Sequence, residues 1–316
     1  MSKIAFIYPG QGAQYVGMGE EISKHFNAAA EVFKLANDAV GYDMEKICFE
    51  GSEEDLKKTE YTQPAILTTC IAITKVLLEN EIYPAVAAGL SLGEYAALVM
   101  AEAISFQDAV ALVKKRGKFM QEAVPLGVGA MAAILGMDRD VLEETLVLAK
   151  EVGIVEAANF NSPGQIVISG ETKAVEKACE IAKQKGALKA VLLPVSAPFH
   201  SSMLKPAGEK LAYELEEISV HPLKIPVIAN VNADYYTSHS EIKERLIEQV
   251  SKPVLWEDSV LKMLESGIDT FIEIGPGKSL SQFVKKIAKK QNQHVMIYNV
   301  EDMNTLNVVT QALATR

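Results

Sequence analysis

The chain predicts an α/β fold: a mostly parallel sheet covered by helices, with a small ferredoxin-like βαββαβ unit inserted into it. Short apolar runs alternate with amphipathic helical stretches at both ends of the sequence, the pattern of a parallel sheet wrapped on two faces. The middle follows a different order, strand–helix–strand–strand–helix–strand, over about 70 residues. With 316 residues, 49% of them apolar, the chain has the material for one large domain or two coupled ones.

In chain order, "KIAFIYPG" reads as the first strand, with a helix near 17–40 after it. "AVAAG" is the next strand, followed by a helix from Ser91. The insert opens after Pro125-Leu126-Gly127 with the strand "GAMAAILGM". A helix with Asp138 at its N-cap, the strands "IVEAANF" and "GQIVISG", a helix ending at Gly186 and the strand "LKAVLLPV" follow. "DTFIEIGPG" then gives a late strand, and a helix starts at Lys278. The expected division is a large body of residues 1–126 and 197–316 and an insert of residues 127–196.

A net charge of −10 argues against a nucleic-acid binder and against an anionic membrane surface as partner. Cys48, Cys70 and Cys179 are odd in number and widely spaced, which fits a reducing cytoplasm better than a disulfide framework or zinc ribbon. No apolar stretch reaches the ~20 residues of a membrane span, and the N-terminus lacks a signal-peptide layout.

Two phosphate-binding motifs fail. Gly10-Gln11-Gly12 would need a third glycine where Tyr15 stands, and Gly277-Lys278-Ser279 would need one at Ile272. The five histidines show no ligand-pair spacing, so no metal is expected.

The pattern that survives is Gly89-Leu90-Ser91-Leu92-Gly93, between a strand and an alanine-rich helix. Glycine flanks permit the tight turn that exposes a nucleophilic serine. Such a serine needs a base, and His200, in the Pro- and Ser-rich "PVSAPFHSSMLKP", is a better candidate than His25, His221, His239 or His294. Arg116 is one of only four arginines, and its helical neighbours Leu112, Val113, Phe119 and Met120 are apolar. It therefore projects from a buried stripe and requires an anion. That anion is either an internal acid such as Glu94 or Glu122, or a substrate carboxylate gripped by parallel N–H···O bonds. Periodicity does not choose between them. The backbone N–H groups of Gln11 and Leu92 could form a two-donor oxyanion hole.

Together these residues resemble the malonyl-CoA:acyl carrier protein transacylases. The segments "FIYPGQGAQYVGMG", "YTQPAILTTCIA", "GLSLGEYAAL", "KKRGKFMQ", "APFHSSMLKPAGEKL", "QVSKPVLW" and "FIEIGPGKSL" are similar to that family's signatures, in the same order. The resemblance implies a hydrolase-like body with a ferredoxin-like insert. It implies Ser91 as nucleophile, His200 as general acid and base, and the backbone carbonyl of Gln249 as the acceptor that orients His200. Gln11 and Leu92 would supply the oxyanion N–H groups, Arg116 would bind the malonyl carboxylate, Gln63, Met120 and Phe199 would lie around the acyl group, and Asn159 would line the cleft from the insert as a further substrate-binding residue. Phe199 would favour malonyl over methylmalonyl.

The reaction implied is ping-pong transfer from malonyl-CoA to acyl carrier protein in fatty-acid synthesis, without a cofactor. A freestanding acyltransferase of a polyketide synthase and, less closely, a Ser-His thioesterase are the alternatives. The family usually carries histidine where this chain has Leu90. An acidic carrier protein would dock on Lys278, Lys285, Lys286, Lys289 and Lys290, to which the insert adds Lys183, Lys185 and Lys189.

Overall fold

The computed structural model describes residues 3–195 and 197–314. Ser196, the last residue of the expected insert, lies outside the described residues, as do the terminal residues Met1, Ser2, Thr315 and Arg316.

Four strands form the larger sheet: β1 (Ile4–Tyr8), β2 (Val86–Gly89), β7 (Thr270–Ile274) and β8 (Met296–Val300). Their order is β2-β1-β7-β8 and every pairing is parallel. The inner strands are apolar on both faces because both are covered. Side chains alternate along β1: Phe6 and Tyr8 enter one core cluster, while Ala5 and Ile7 enter a second on the opposite face. A further parallel bridge, Ala87↔Val227, lays residues 226–228 against the outer side of β2 and carries Asn230 towards that strand's end.

The second sheet comprises β3 (Gly129–Leu135), β4 (Val155–Ser162), β5 (Gln165–Glu171) and β6 (Lys189–Leu192), all antiparallel, in the order β4-β5-β3-β6. With helices Arg139–Ala149 and Thr172–Gln184 it encloses its own core, including Ile134, Leu142, Ile168 and Val175. This is the ferredoxin-like arrangement expected. Asp138 stands at the N-cap, but its side chain accepts no cap hydrogen bond.

Two local features differ from expectation. The helix near 17–40 is broken at Phe26, whose extended backbone (φ −127°, ψ 120°) separates Glu20–His25 from Asn27–Val40. The break lets Ile22 and Phe33 enter the same core. Helix Thr59–Glu79, with 21 residues and a mean hydropathy of 1.2, does reach membrane-spanning length and apolarity. Its most apolar window is 83% buried against the rest of the chain, so it is a core helix here.

The small sheet is tied to the larger body along β4. Val254 donates to Ala158 O and accepts from Phe160 N, both at 2.9 Å. Arg139 pairs with Glu257 at 3.1 Å and Asp258 at 2.9 Å, and stacks on the Phe160 ring.

Candidate active site

The turn after β2 is built by exclusion of side chains. A Cβ on Gly89 would overlap the carbonyl of Gly93, and one on Gly93 would overlap the carbonyl oxygen of Tyr8 at the end of β1. Between them Ser91 takes φ +53°, a left-handed conformation that costs an ordinary residue of order 1–3 kcal/mol and persists only when its surroundings impose it. Asn230 does much of the imposing: its Oδ1 accepts from Ser91 N at 2.6 Å and its Nδ2 donates to Gly89 O at 2.7 Å. Helix Gly93–Met100 begins two residues beyond the serine.

His200 reaches the same point from a distant loop. Its Nε2 lies 2.7 Å from Ser91 Oγ, and its Nδ1 lies 2.8 Å from the backbone carbonyl of Gln249. A carbonyl only accepts, so Nδ1 carries the hydrogen and Nε2 is left as acceptor for the serine O–H. That carbonyl is available for a covalent reason. In helix Ile242–Ser251 its i+4 partner would be position 253, and Pro253 has no N–H. Burial, and then the neighbouring Arg116 cation, push the imidazole down to about 4. It is therefore neutral at pH 7 and ready to take a proton.

Arg116 lies on helix Phe106–Glu122 and is 1% exposed. The helix crosses the start of Thr59–Glu79 so closely that a Cβ on Gly117 would overlap the Thr59 carbonyl, and this brings Gln63 to the guanidinium. Nη1 donates to Gln63 Oε1 at 2.7 Å; Nη2 donates to Gln249 Oε1 at 2.9 Å and to Ser91 Oγ at 3.1 Å. Among the described residues Nε has no hydrogen-bond partner, and the Tyr95 ring lies 5.4 Å away.

Neither internal acid considered from sequence contacts Arg116 directly. Glu122 is exposed on the same helix, 3.9 Å from Lys118. Glu94 is reached only through the Gln249 carboxamide, whose Nε2 donates to Glu94 Oε2 at 2.6 Å and to Ser91 O at 3.0 Å. Burial pushes Glu94 up to about 7, against the pull of its donors Tyr236, Asn230 and Gln249 and of the Arg116 charge.

The loop after β1 abuts the turn, since a Cβ on Gly10 would come within 2.6 Å of Leu90 O. Among the described residues the backbone N–H groups of Gln11 and Leu92 have no hydrogen-bond partner. The Gln11 side chain is anchored on Thr59 at 3.3 Å. Met120 is buried, with Gln63 Nε2 3.7 Å from its sulfur. Phe199 is buried in the main core beside His200. Asn159 is buried at the β4 bulge, bridging to Val254, and has no hydrogen bond to the Ser91 group. The five lysines of helix Ser279–Lys290 and its N-cap are exposed, with Lys286 bonded to Gln165 at 3.0 Å.

Asn230, Tyr236 and the Gln249 side chain were not singled out from the sequence. Asn230 ends the short apolar run "IPVIAN", and ligand sites gather where such strands end. That signal was present. Among the described residues no cluster of three His, Cys, Asp or Glu side chains could hold a metal ion.

A half-buried serine on a strand–turn–helix, hydrogen-bonded to a buried histidine in a parallel α/β body with a ferredoxin-like insert, is the arrangement of a serine-dependent acyl-transfer enzyme. Residues 5–312 match the acyl transferase domain family, and the chain belongs to it. It is 49% identical over 314 residues to the malonyl CoA-acyl carrier protein transacylase of Bacillus subtilis (strain 168), covering 99% of this chain and 98% of the relative. Its structure is similar to that of malonyl CoA-acyl carrier protein transacylase from Clostridium perfringens: TM-score 0.96, 52% identity, 99% and 98% of the two chains. It is similar too to a malonyl-transacylase solved with a type II polyketide synthase acyl-carrier protein: TM-score 0.95, 40% identity, 98% and 100% coverage.

Proposed function

We propose that this chain moves a malonyl group from malonyl-CoA to the phosphopantetheine thiol of acyl carrier protein through a malonyl ester on Ser91. The observation that carries this reading is the meeting of nucleophile, base and cation: Ser91 Oγ is 2.7 Å from His200 Nε2 and 3.1 Å from Arg116 Nη2.

In the first half-reaction His200 Nε2 takes the hydroxyl proton as Oγ attacks the thioester carbonyl. The tetrahedral oxyanion is held by the N–H groups of Gln11 and Leu92. Its collapse breaks the C–S bond, and the proton on His200 passes to the departing CoA sulfur. The second half-reaction is the reverse with a new thiol: His200 deprotonates the carrier's pantetheine, the thiolate attacks the malonyl ester, and Ser91 recovers its proton. Gln249 O holds the imidazolium through Nδ1–H, in the place an Asp side chain takes in many serine enzymes. Acid–base chemistry of these side chains accounts for every step, and the proposal needs no cofactor.

Arg116 selects the acyl group. Among the described residues three of its five N–H donors are committed, all to neutral oxygens, so an incoming carboxylate meets a buried cation with capacity to spare. Gln63, which holds Nη1, and Met120 complete that side of the pocket, and Phe199 crowds an α-methyl branch. We place Asn159 at the cleft edge from the insert, residues 127–196, with residues 1–126 and 197–316 as the larger body. The three buried free cysteines suit a reducing cytoplasm.

The test is mass spectrometry of the chain mixed with malonyl-CoA. A malonyl adduct on Ser91, discharged by holo carrier protein, supports transfer. Release of free malonate at the same rate without carrier protein supports a hydrolase instead. Service to a polyketide synthase carrier, as in the solved relative, uses the same chemistry and is separated by comparing carrier proteins.

A further inference from the structure

Glu94 takes no part in the transfer steps, yet it is 1% exposed and every group within hydrogen-bond reach of it is a donor. Tyr236 O–H meets Oε1 at 2.5 Å; Asn230 N at 3.0 Å and Gln249 Nε2 at 2.6 Å meet Oε2. The last of these bears on the substrate. The two ends of a glutamine carboxamide are nearly equal in size, so the neighbours decide which end faces Arg116. Glu94 Oε2, which also accepts from Asn230 N, and the Ser91 carbonyl oxygen both accept and take the NH₂ end, which turns Oε1 onto the guanidinium. Reversed, the amide would set NH₂ against guanidinium and its own oxygen against Glu94 Oε2 and the Ser91 carbonyl oxygen. The Ser91 carbonyl is the weaker anchor: it lies 3.0 Å from Nε2, against 2.6 Å for Glu94 Oε2.

We propose that Glu94 is a positioning residue for acyl-group choice: by holding Nε2 of Gln249 it keeps Oε1 on Arg116, and so keeps the guanidinium beside Ser91 with donors free for a substrate carboxylate. The inference rests on the malonyl-transfer reading above. Because the link runs through an amide, the carboxylate never occupies the guanidinium itself. A direct Glu–Arg pair would compete with the substrate for the same donors.

The experiment compares full-length wild type, Glu94→Gln and Glu94→Leu for kcat/KM with malonyl-CoA and acetyl-CoA at saturating carrier protein. Glutamine at 94 keeps an acceptor oxygen for Gln249 and Asn230 and turns its NH₂ to the Tyr236 hydroxyl, which accepts. It should preserve the malonyl-to-acetyl ratio within about threefold. Leucine removes the acceptor, and the ratio should fall about tenfold or more, with the loss confined to malonyl-CoA. Equal losses for both thioesters in Glu94→Leu would assign a general structural role and overturn the proposal. A ratio as low in Glu94→Gln as in Glu94→Leu would assign the effect to charge and overturn it too.

If Glu94→Leu does not fold, Gln249→Leu interrupts the same link from the other side; an unchanged ratio there is equally fatal. A wild-type chain that transfers no malonyl group overturns the proposed function instead. The inference is then read from a crystal structure of Glu94→Leu, where a Gln249 amide still seated on Arg116 would end it.

Discussion

The guanidinium of Arg116 stands 3.1 Å from the hydroxyl of Ser91, so in the proposed mechanism the group that reads the acyl chain touches the atom that attacks it. Specificity and reactivity therefore share one hydrogen bond. On that proposal Arg116→Ala removes a buried, charge-assisted partner of the substrate carboxylate, an interaction worth about 2–3 kcal/mol. Malonyl transfer should fall by roughly 30- to 150-fold in kcat/KM, with acetyl transfer changed far less. Steady-state rates with the two thioesters decide it. Equal losses would make Arg116 structural.

The pH profile follows from His200. Burial and the Arg116 cation hold its imidazole down at about 4, below the ordinary value of 6.5. The base is neutral above its folded-state pKa, so kcat/KM for malonyl-CoA should stay level from about pH 5.5 to pH 8 and fall only as pH approaches 4. Stability moves the same way: the unfolded chain binds this proton first, so folding free energy is lost as pH drops from 6.5 towards 4. An acid limb centred near 6.5 in the kinetics would contradict the burial argument. Replacing Arg116 by Gln removes the second cause of the shift, and the limb should move upward.

The turn itself is testable without activity. Gly93→Ala drives a methyl group into the Tyr8 carbonyl, and backbone cannot yield as a flexible side chain does. A loss of about 3 kcal/mol or more is expected, seen as a lower melting temperature or as insoluble protein. Asn230→Ala leaves Ser91 N and Gly89 O without their partners at 2.6 and 2.7 Å. That should cost about 2–3 kcal/mol, and turnover should fall as the serine relaxes from φ +53°. A variant at Asn230 with wild-type stability and rate would show that the glycines alone hold the turn.

How much of this could be read beforehand follows from the range of each interaction. β1, β2 and the whole βαββαβ unit rest on local periodicity, and the structure returns them within a few residues. Ser91 was visible because glycine spacing is a local requirement, His200 because it stands in a Pro- and Ser-rich loop just past a strand, and Arg116 because a polar group stood out against apolar neighbours. The amide chain was not visible. Gln249 meets Arg116 across 133 positions and Glu94 across 155, and no local pattern encodes which end of a carboxamide faces a cation. The break at Phe26 was missed for a related reason. Its stretch keeps helical periodicity, and tertiary burial of Ile22 and Phe33 decides the bend.

The carrier protein's landing site gives the last prediction. Helix Ser279–Lys290 buries Leu280, Val284, Ile287 and Ala288 and turns its lysines to solvent. Its first turn is held by Glu273, which accepts from Leu280 N at 3.1 Å and Ser281 N at 2.7 Å. On a chain of net charge −10 this is a local positive face, and Lys286 spans to Gln165 at the start of β5. If an acidic carrier docks there, Lys285→Glu together with Lys289→Glu should raise the KM for carrier protein about tenfold while leaving malonyl-enzyme formation from malonyl-CoA untouched. Raising salt from 50 to 300 mM, which shortens the screening length from roughly 14 to 6 Å, should weaken the wild type markedly and the reversed variant little. Carrier kinetics that ignore both changes would move the docking surface elsewhere on the molecule.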